Sequence, residues 1–166
     1  MQKTIPTIFL AFAVLFATAG TSWGQEVTID DLVEREGLYY QKLTSVPFTG
    51  VTTGLVKATF KKGIRHGSWF TYWDNGQLRE KGNYKDGNLD GLWMRYHKNG
   101  RLSERGNYIN DKIDGPWGGF YDNSQLRFRG NYINGKRDGP WEEYSRDGVL
   151  KSAVSGTYRN GVKVSD

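Results

Sequence analysis

Residues 67–90 read GSWFTYWDNGQLREKGNYKDGNLD, and this stretch decides the fold because its pattern returns along the chain every 24 residues. The tryptophan column of the pattern comprises Trp69, Trp93, Trp117 and Trp141. A glycine column follows the first three of them and comprises Gly82, Gly106 and Gly130. A fixed period of this length is typical of proteins built from stacked supersecondary units.

Each unit contains two strand-like runs, here residues 69–73 and 78–84, joined through Asn75-Gly76. Asn-Gly favours a two-residue type I′ turn, in which both central residues have positive φ. That turn would set the following pairs opposite each other: Trp73 with Leu78, Tyr72 with Arg79, Phe70 with Lys81, and Trp69 with Gly82. A glycine opposite each tryptophan leaves room for the indole ring.

The repeat predicts an all-β fold, an elongated single-sheet stack of about five antiparallel β-hairpins, because one hairpin cannot bury a core alone. The predicted repeat region is 46–166, with units at about 46–66, 67–90, 91–114, 115–138 and 139–163. An N-terminal cap is predicted over residues 25–45. Within it, residues 30–36 are predicted to form a short helix with Thr28 or Asp30 as N-cap and Gly37 at its end.

The first 24 residues predict a signal peptide. Lys3 precedes an apolar run over residues 8–19, and small residues follow before Gly24. The run is too short for a bilayer-spanning helix, which needs roughly 20 residues, although a retained anchor is the alternative. The mature protein is therefore expected to be exported, either periplasmic or secreted.

The composition excludes most catalytic chemistry. The chain has 22 Gly, no Cys and two His, so thiol nucleophiles, disulfides and cysteine–zinc sites are excluded and little imidazole is present. Glu80 and Glu104 recur at the repeat period, and a repeated position offers similar environments rather than the contrasting ones that an acid–base pair needs. No catalytic residue, cofactor or metal site is predicted, and the protein is not expected to be an enzyme.

An acidic column precedes the glycines at Asp90, Asp114 and Asp138, and His66 occupies the same column. Equivalent residues on successive hairpins would lie roughly 10 Å apart, too far to share one ion. Because Asp before Gly is common in turns, a turn role is predicted for the column. His97 falls in the Trp73 column and is predicted to be partly packed.

The predicted register divides the side chains between two faces. Trp69, Trp73, Leu78, Tyr84 and their equivalents would form the core side, stabilised by buried indoles. An aromatic platform for carbohydrate or bases is the alternative use. The other face would carry a basic and aromatic stripe of Tyr72, Arg79, Lys81, Arg105, Arg127, Arg129 and Lys151. Two interpretations of the stripe are open: solvated cations lying on aromatic rings, or a surface for an anionic partner.

A unit of the form Gly-x-Trp-x-x-Tyr-x-x-Asn-Gly-x-Leu, followed by Gly-Asn-Tyr, resembles the MORN-repeat variant. The segment over residues 31–50 resembles the beginning of bacterial proteins of the YwqK antitoxin-like family. Together the resemblance covers about residues 27–163. It implies a stack of hairpins that serves as a protein-interaction scaffold or a lipid-associated surface, and the antitoxin name implies a partner toxin.

These observations predict an exported, noncatalytic protein-binding scaffold, with antitoxin-like or immunity-type toxin neutralisation as one version. The alternative is an envelope-associated protein that binds anionic phospholipid or acidic glycan through the basic and aromatic face. Nucleic acid is not an expected partner, because the chain has an export signal and its net charge of +5 is modest.

Overall fold

The computed structural model describes residues 26–165, which form fifteen short strands and one 3-10 turn at Ile29–Asp31. The strands are β1 (Leu32–Arg35), β2 (Leu38–Gln41), β3 (Gly50–Val51), β4 (Val56–Lys61), β5 (Ile64–Tyr72), β6 (Leu78–Lys85), β7 (Asn88–Leu89), β8 (Gly91–Tyr96), β9 (Leu102–Ile109), β10 (Lys112–Ile113), β11 (Gly115–Phe120), β12 (Leu126–Ile133), β13 (Lys136–Glu143), β14 (Gly156–Arg159) and β15 (Val162–Ser165). The predicted signal peptide over residues 1–24 lies outside the described residues. In residues 26–165, no helix has the length and apolar character needed to cross a bilayer.

Thirteen of the strands form one antiparallel sheet, so the prediction of an all-β fold built from stacked hairpins is confirmed. Its order is β15-β14-β13-β12-β11-β9-β8-β6-β5-β4-β3, and the two-residue strands β7 and β10 pair with β6 and β9. Strands β1 and β2 make a separate hairpin. Eleven strands in a row at about 4.8 Å each extend the sheet by roughly 48 Å across the strands.

Type I′ geometry occurs at the turns along one edge of the large sheet and at the turn of the separate β1–β2 hairpin. Consecutive residues with positive φ occupy these turns: Glu36-Gly37, Lys62-Gly63, Asp86-Gly87, Asn110-Asp111, Asn134-Gly135 and Asn160-Gly161. This turn suits a hairpin because its backbone twist matches the right-handed twist of the paired strands.

The predicted type I′ turn at Asn75-Gly76 is wrong. The Trp73 N–H donates to the Gln77 carbonyl at 2.7 Å, and the Gly76 N–H donates to the Trp73 carbonyl at 2.8 Å. Within this turn only Gly76 has positive φ, at 80°. The loop therefore has three residues, with a glycine in the left-handed region that creates a bulge, and it recurs at the corresponding turns of the later units.

The three-residue loop moves the pairing at the start of β6 by one residue, and a second bulge at Arg79 restores the predicted register from Glu80 onward. Tyr72 pairs with Leu78, and the predicted pairing of Tyr72 with Arg79 does not form. The same shift pairs Tyr96 with Leu102 and Phe120 with Leu126. Because directly paired residues share a face, the leucine column lies with Tyr72 and its equivalents and not with the tryptophans, contrary to the prediction.

Beyond the bulge, Trp69 pairs with Gly82 and Phe70 pairs with Lys81. The indole that packs on each glycine is not that of its paired tryptophan but that of the next unit. A Cβ added to Gly82 would overlap the Trp93 ring, and a Cβ added to Gly106 would overlap the Trp117 ring. Each indole thus lies flat on the neighbouring strand, which buries Trp93, Trp117 and Trp141 to 4%, 5% and 2% exposure within a single sheet.

Tyrosine rings complete the packing on the face of the sheet that carries the tryptophan column, which we call the tryptophan face. Tyr84 and Tyr108 lie between successive indoles, with ring centroids 5.3–6.1 Å apart and near-perpendicular planes. Such edge-to-face pairs stabilise beyond the apolar area that they bury. The aromatic column is therefore a continuous packed spine from Trp69 to Trp117.

The structure does not contain the predicted helix over residues 30–36. Only the 3-10 turn follows Thr28, whose N–H and hydroxyl both donate to the Asp31 carboxylate, at 2.8 and 2.7 Å. Leu32 then enters β1, because the Glu36-Gly37 type I′ turn lets β1 pair with β2. Burial of Leu32 against Ala58 and Phe60 favours the hairpin over an isolated helical turn.

Candidate functional site

Seven consecutive strand pairings bring one residue from each of eight strands into a line across the sheet. Each residue is the direct partner of the next, and all therefore share the face opposite the tryptophans. We call this line the cationic row: Lys57, Phe70, Lys81, Met94, Arg105, Gly118, Arg129 and Glu142. Cations alternate with other residues, so neighbouring cations are two strands, or roughly 9.6 Å, apart.

The cations of the row differ in their partners. The Lys57 Nζ lies over the Tyr72 ring at 5.4 Å, and the Lys81 Nζ lies over the Tyr96 ring at 5.9 Å. Arg129 Nε donates to Glu142 Oε2 at 2.6 Å. Within residues 26–165, the Arg105 side chain makes no hydrogen bond, ion pair or ring contact, and the residue is exposed. The row thus contains one unpaired guanidinium.

Three members of the predicted basic stripe lie elsewhere. Arg127 donates from Nη2 to Glu104 Oε1 at 2.6 Å, and Lys151 Nζ donates to Glu143 at 3.1 Å; both carboxylates lie on the tryptophan face. Arg79 stacks over the Trp73 ring at 4.8 Å. Arg79 and Arg127 are the extra residues of bulges, and a one-residue shift sends a side chain to the other face; Lys151 lies outside the strands.

The tryptophan face carries an ion-pair chain that the sequence did not reveal. Arg95 donates to Glu80 at 3.0 Å and to Glu104 at 3.1 Å, and Glu104 also accepts from Arg127. A sequence signal existed: Arg95 lies between two glutamates that recur at the repeat period. In the next unit Phe128 replaces the glutamate and stacks on Trp141, with ring centroids 5.3 Å apart.

A groove of about 780 Å³ crosses the cationic row at Gly118. Its lining is mostly apolar, with Leu92, Pro116, Phe120, Leu126 and Pro140 among the walls and with Arg105, Arg129 and Glu142 at the row. Gly118 occupies the row position that Phe70 and Met94 fill in the earlier units. The missing side chain therefore opens the sheet surface between two arginines. We refer to this side of the sheet as the groove face.

Glu142 is a carboxylate held by two donors. Arg129 and then the Tyr144 hydroxyl, which donates at 2.7 Å, lower the pKa of Glu142 below its ordinary value. The same hydrogen bond from Tyr144 to Glu142 raises the pKa of Tyr144. Glu142 thus stays charged and bound to Arg129 at pH values where a free glutamate begins to protonate.

We expect substitution Arg129→Ala to raise the pKa of Glu142 toward its ordinary value, measured by NMR titration of the side-chain carboxyl carbon. In the parent protein the stabilisation from this pair is present above the unfolded-state pKa and is lost as pH falls through the lower folded-state pKa. Lys112→Ala removes an exposed cation of β10 and is the matched control. An unchanged Glu142 titration in Arg129→Ala would contradict the pairing.

The recurring polar columns join successive hairpins and do not form a metal site. The Asp114 and Asp138 carboxylates accept backbone N–H groups of the following turns, from Asn134 at 2.9 Å and Asn160 at 3.1 Å. His97 Nε2 lies 2.8 Å from the Phe120 carbonyl, so this nitrogen is the donor. In the described part of the chain, no group of three potential metal ligands comes together.

Comparison with known families matches the MORN repeat variant at residues 65–86, 89–110 and 137–160. Three units of the chain are MORN repeats of this variant. The unit between the second and third matched segments lies outside the matches and departs from the repeat pattern at Gly118-Gly119 in β11, Ser124 in its turn and Phe128 in β12. The groove crosses this unit at Gly118, and its lining extends into the units on both sides.

Comparisons with curated proteins and with solved structures do not extend the family assignment. No match was found among curated proteins. Among solved structures, one chain of "Crystal structure of GtfA/B complex bound to UDP and GlcNAc" is similar at 11% sequence identity and a TM-score of 0.22. The similar region covers 76% of this chain and 26% of that chain. At this score the likeness carries no argument about fold or function.

Proposed function

We propose that this MORN-repeat protein is a noncatalytic binding scaffold whose groove face contacts an acidic surface of another protein. The observation that carries the proposal is the cationic row, in which Arg105 has no partner within residues 26–165 and lies beside an open apolar groove. Apolar walls with a few convergent charged groups are the usual composition of binding sites. MORN repeats commonly serve as binding or scaffold modules, which agrees with this role.

A noncatalytic role is also supported by the pairing of the recurring carboxylates. Glu80 and Glu104 both hold Arg95 on the tryptophan face, where they complete an ion-pair chain. A general acid or base needs access to a substrate proton, and these carboxylates already accept hydrogen bonds from guanidinium groups. Their role in the fold explains why they recur at the repeat period.

Antitoxin-like or immunity-type neutralisation of a toxin is one version of this proposal. It rests on the resemblance of residues 31–50 to YwqK antitoxin-like proteins and on the open groove face, which is long enough to cover a partner's active site. The signal-like segment over residues 1–24 supports export, to the periplasm or beyond the cell. The partner in this version is therefore itself an exported protein.

Binding of anionic phospholipid or acidic glycan at the envelope is the second candidate function. The observation that favours it is the alternation of aromatic rings with cations, since Lys57 and Lys81 each lie over a tyrosine of the following hairpin. Such a surface attracts anions along its whole length. The two candidate functions can be separated by measuring whether the same variants still bind a protein partner, phospholipid vesicles or an acidic glycan.

The combined substitution Lys81→Glu, Arg105→Glu and Arg129→Glu is expected to weaken partner binding by roughly tenfold or more, because it reverses the charge of the groove face. The partner would be isolated with the mature chain from envelope extract, identified, and its affinity for purified variants measured at several salt concentrations. Binding to phosphatidylglycerol vesicles and to an acidic glycan would be measured in parallel.

The matched control is Lys112→Glu, Lys136→Glu and Arg159→Glu, which makes the same change in net charge at exposed positions near the type I′ turns. This control should retain the protein partner. Retention of the partner by the groove-face variant would contradict the proposal. Loss of vesicle or glycan binding with no protein partner recovered would favour the envelope function instead.

A further inference from the structure

Gly118 lies between two arginines on the same face of the sheet. It is the direct partner of Arg105 in β9 and of Arg129 in β12. The two arginine backbones are thus separated by two strand spacings, roughly 9.6 Å, with no side chain between them. We call this opening the arginine notch, defined by Arg105, Gly118 and Arg129.

Gly118 differs from the other glycines in residues 26–165 because the fold does not require it. Fifteen glycines have positive φ, and a Cβ at Gly82, Gly106, Gly119 or Gly130 would overlap an aromatic ring. At Gly118 the backbone is extended, and the nearest atom to an added Cβ is the Phe128 carbonyl oxygen at 3.7 Å. This is an ordinary contact distance, and Met94 fills the same row position one unit earlier.

The arginine notch has unused hydrogen-bonding capacity. Arg105 has no partner in the described part of the chain, and Arg129 contacts Glu142 through Nε and also interacts with the Tyr144 hydroxyl. The Arg129 side chain is 62% exposed, so its remaining donors are accessible. Guanidinium forks match the planar geometry of a carboxylate and bind it with two parallel hydrogen bonds.

The walls of the notch favour a protein side chain over an isolated ion. Pro116 precedes and Phe120 follows Gly118 by two residues on the same strand face, and Leu126 and Pro140 extend the apolar lining. Methylene groups of a glutamate would pack on this lining while the carboxylate meets the arginines. Glu142 closes the row on one side and repels a second acidic group there, which selects the register of the bound segment.

We propose that the arginine notch is the specificity pocket of the groove face and receives an aspartate or glutamate side chain from an acidic segment of a partner protein. This inference rests on the proposed scaffold function and names the chemistry of its contact. Gly118 acts as a specificity-determining residue, because any larger side chain fills the notch. Arg105 supplies the principal bond, since Arg129 is already shared with Glu142.

The test uses the full mature chain and an acetylated, fluorescent deca-glutamate peptide, with deca-glutamine as the uncharged control. Affinity is measured by fluorescence anisotropy, and the contacted residues are mapped by NMR of the Gly118 amide and the arginine Nε–H groups. The deca-glutamate peptide is expected to shift the Gly118 and Arg105 signals. Gly118→Met and Arg105→Ala should each weaken binding by roughly tenfold.

Two controls show whether weaker peptide binding is caused by loss of the arginine notch. Gly118→Met should leave the thermal unfolding midpoint nearly unchanged, because Met94 shows that the row accommodates this side chain between two cations. Lys112→Ala removes an exposed cation elsewhere and should bind the peptide like the parent protein. Together they separate loss of the notch from loss of the fold or of net charge.

Each other outcome contradicts the inference in a distinguishable way. Equal peptide binding by Gly118→Met and the parent would overturn the notch and leave the scaffold function standing. Binding of phosphatidylglycerol vesicles or heparin without any binding of deca-glutamate would overturn the protein partner and favour the envelope function. Absence of binding to every anionic probe would overturn both the notch and the groove face as a binding surface.

Discussion

Substitution Gly106→Ala is expected to destabilise the protein by about 3 kcal/mol, a large effect for the addition of one methyl group. The added Cβ would overlap the Trp117 ring, which lies flat on the Gly106 backbone. The ring cannot move away without losing its contact with Tyr108, whose centroid is 5.3 Å from it. Overlap in a packed core forces side chains off their rotamers and exposes apolar area.

Gly118→Ala is the matched control for this prediction. It makes the same chemical change in the adjacent strand, where an added Cβ has ordinary contacts. We expect it to change the free energy of unfolding by less than about 1 kcal/mol, with a stabilising tendency because alanine restricts the unfolded chain. Urea unfolding of both variants measures the difference. Similar values for Gly106→Ala and Gly118→Ala would contradict the packing of indoles on the glycine column.

Substitution Trp117→Ala is expected to cost about 3–5 kcal/mol, within the range for large aromatic residues in cores. Trp117 is 5% exposed and continues the aromatic spine near the middle of the sheet. Because units of a repeat protein contact only their neighbours, loss of a central indole also weakens the coupling between the two halves. We expect a lower unfolding midpoint and a broader transition by circular dichroism.

Trp73→Ala provides a control with the same change of residue type. Trp73 is partly exposed near the three-residue turn, where its Nε1 donates to the Tyr96 carbonyl at 3.2 Å. We expect a loss of about 1–2 kcal/mol from that hydrogen bond and the reduced packing. If Trp73→Ala and Trp117→Ala destabilised equally, the tryptophan column would not be the main source of stability.

The repeat period alone predicted the stacked hairpins, because each 24-residue unit encodes its own strands and turns. It also placed Trp69 opposite Gly82, since both lie well inside paired strands where alternation is regular. The turn at Asn75-Gly76 was less predictable, because the same dipeptide fits a two-residue turn and the end of a three-residue turn. In the structure, Trp73 Nε1 and Asn75 Nδ2 donate to the Tyr96 and Lys98 carbonyls of the next hairpin, contacts that the dipeptide alone does not reveal.

The division of the basic residues between the two faces followed from that turn. Arg127 is the extra residue of a bulge and Lys151 lies in the segment between β13 and β14, and both contact carboxylates on the tryptophan face, whereas Lys81, Arg105 and Arg129 stay on the groove face. A single extra residue in one strand reverses the side of its neighbours. The periodic sequence did not reveal this shift, because it recurs at the same repeat position between β5 and β6, β8 and β9, and β11 and β12.

The N-terminal segment was also mispredicted from the sequence, but for a different physical reason. The acidic residues after Thr28 suit the first turn of a helix, and a 3-10 turn does form there. Local propensity then yields to tertiary contacts, because Leu32 is buried against Ala58 and Phe60 in the sheet. An isolated helix of one or two turns has too few hydrogen bonds to compete with that burial.

The sequence by itself determined the 24-residue unit, the all-β class and the tryptophan and glycine columns, because these depend on local turns and on alternation within strands. Only the tertiary structure decided which cations share a face and which glycine is free of packing contacts. Those properties depend on bulges and on side chains from neighbouring strands, which lie about 9 to 23 residues away in sequence. Gly118 is the clearest case: in sequence it is one glycine among 22, and in the sheet it leaves an opening between two arginines.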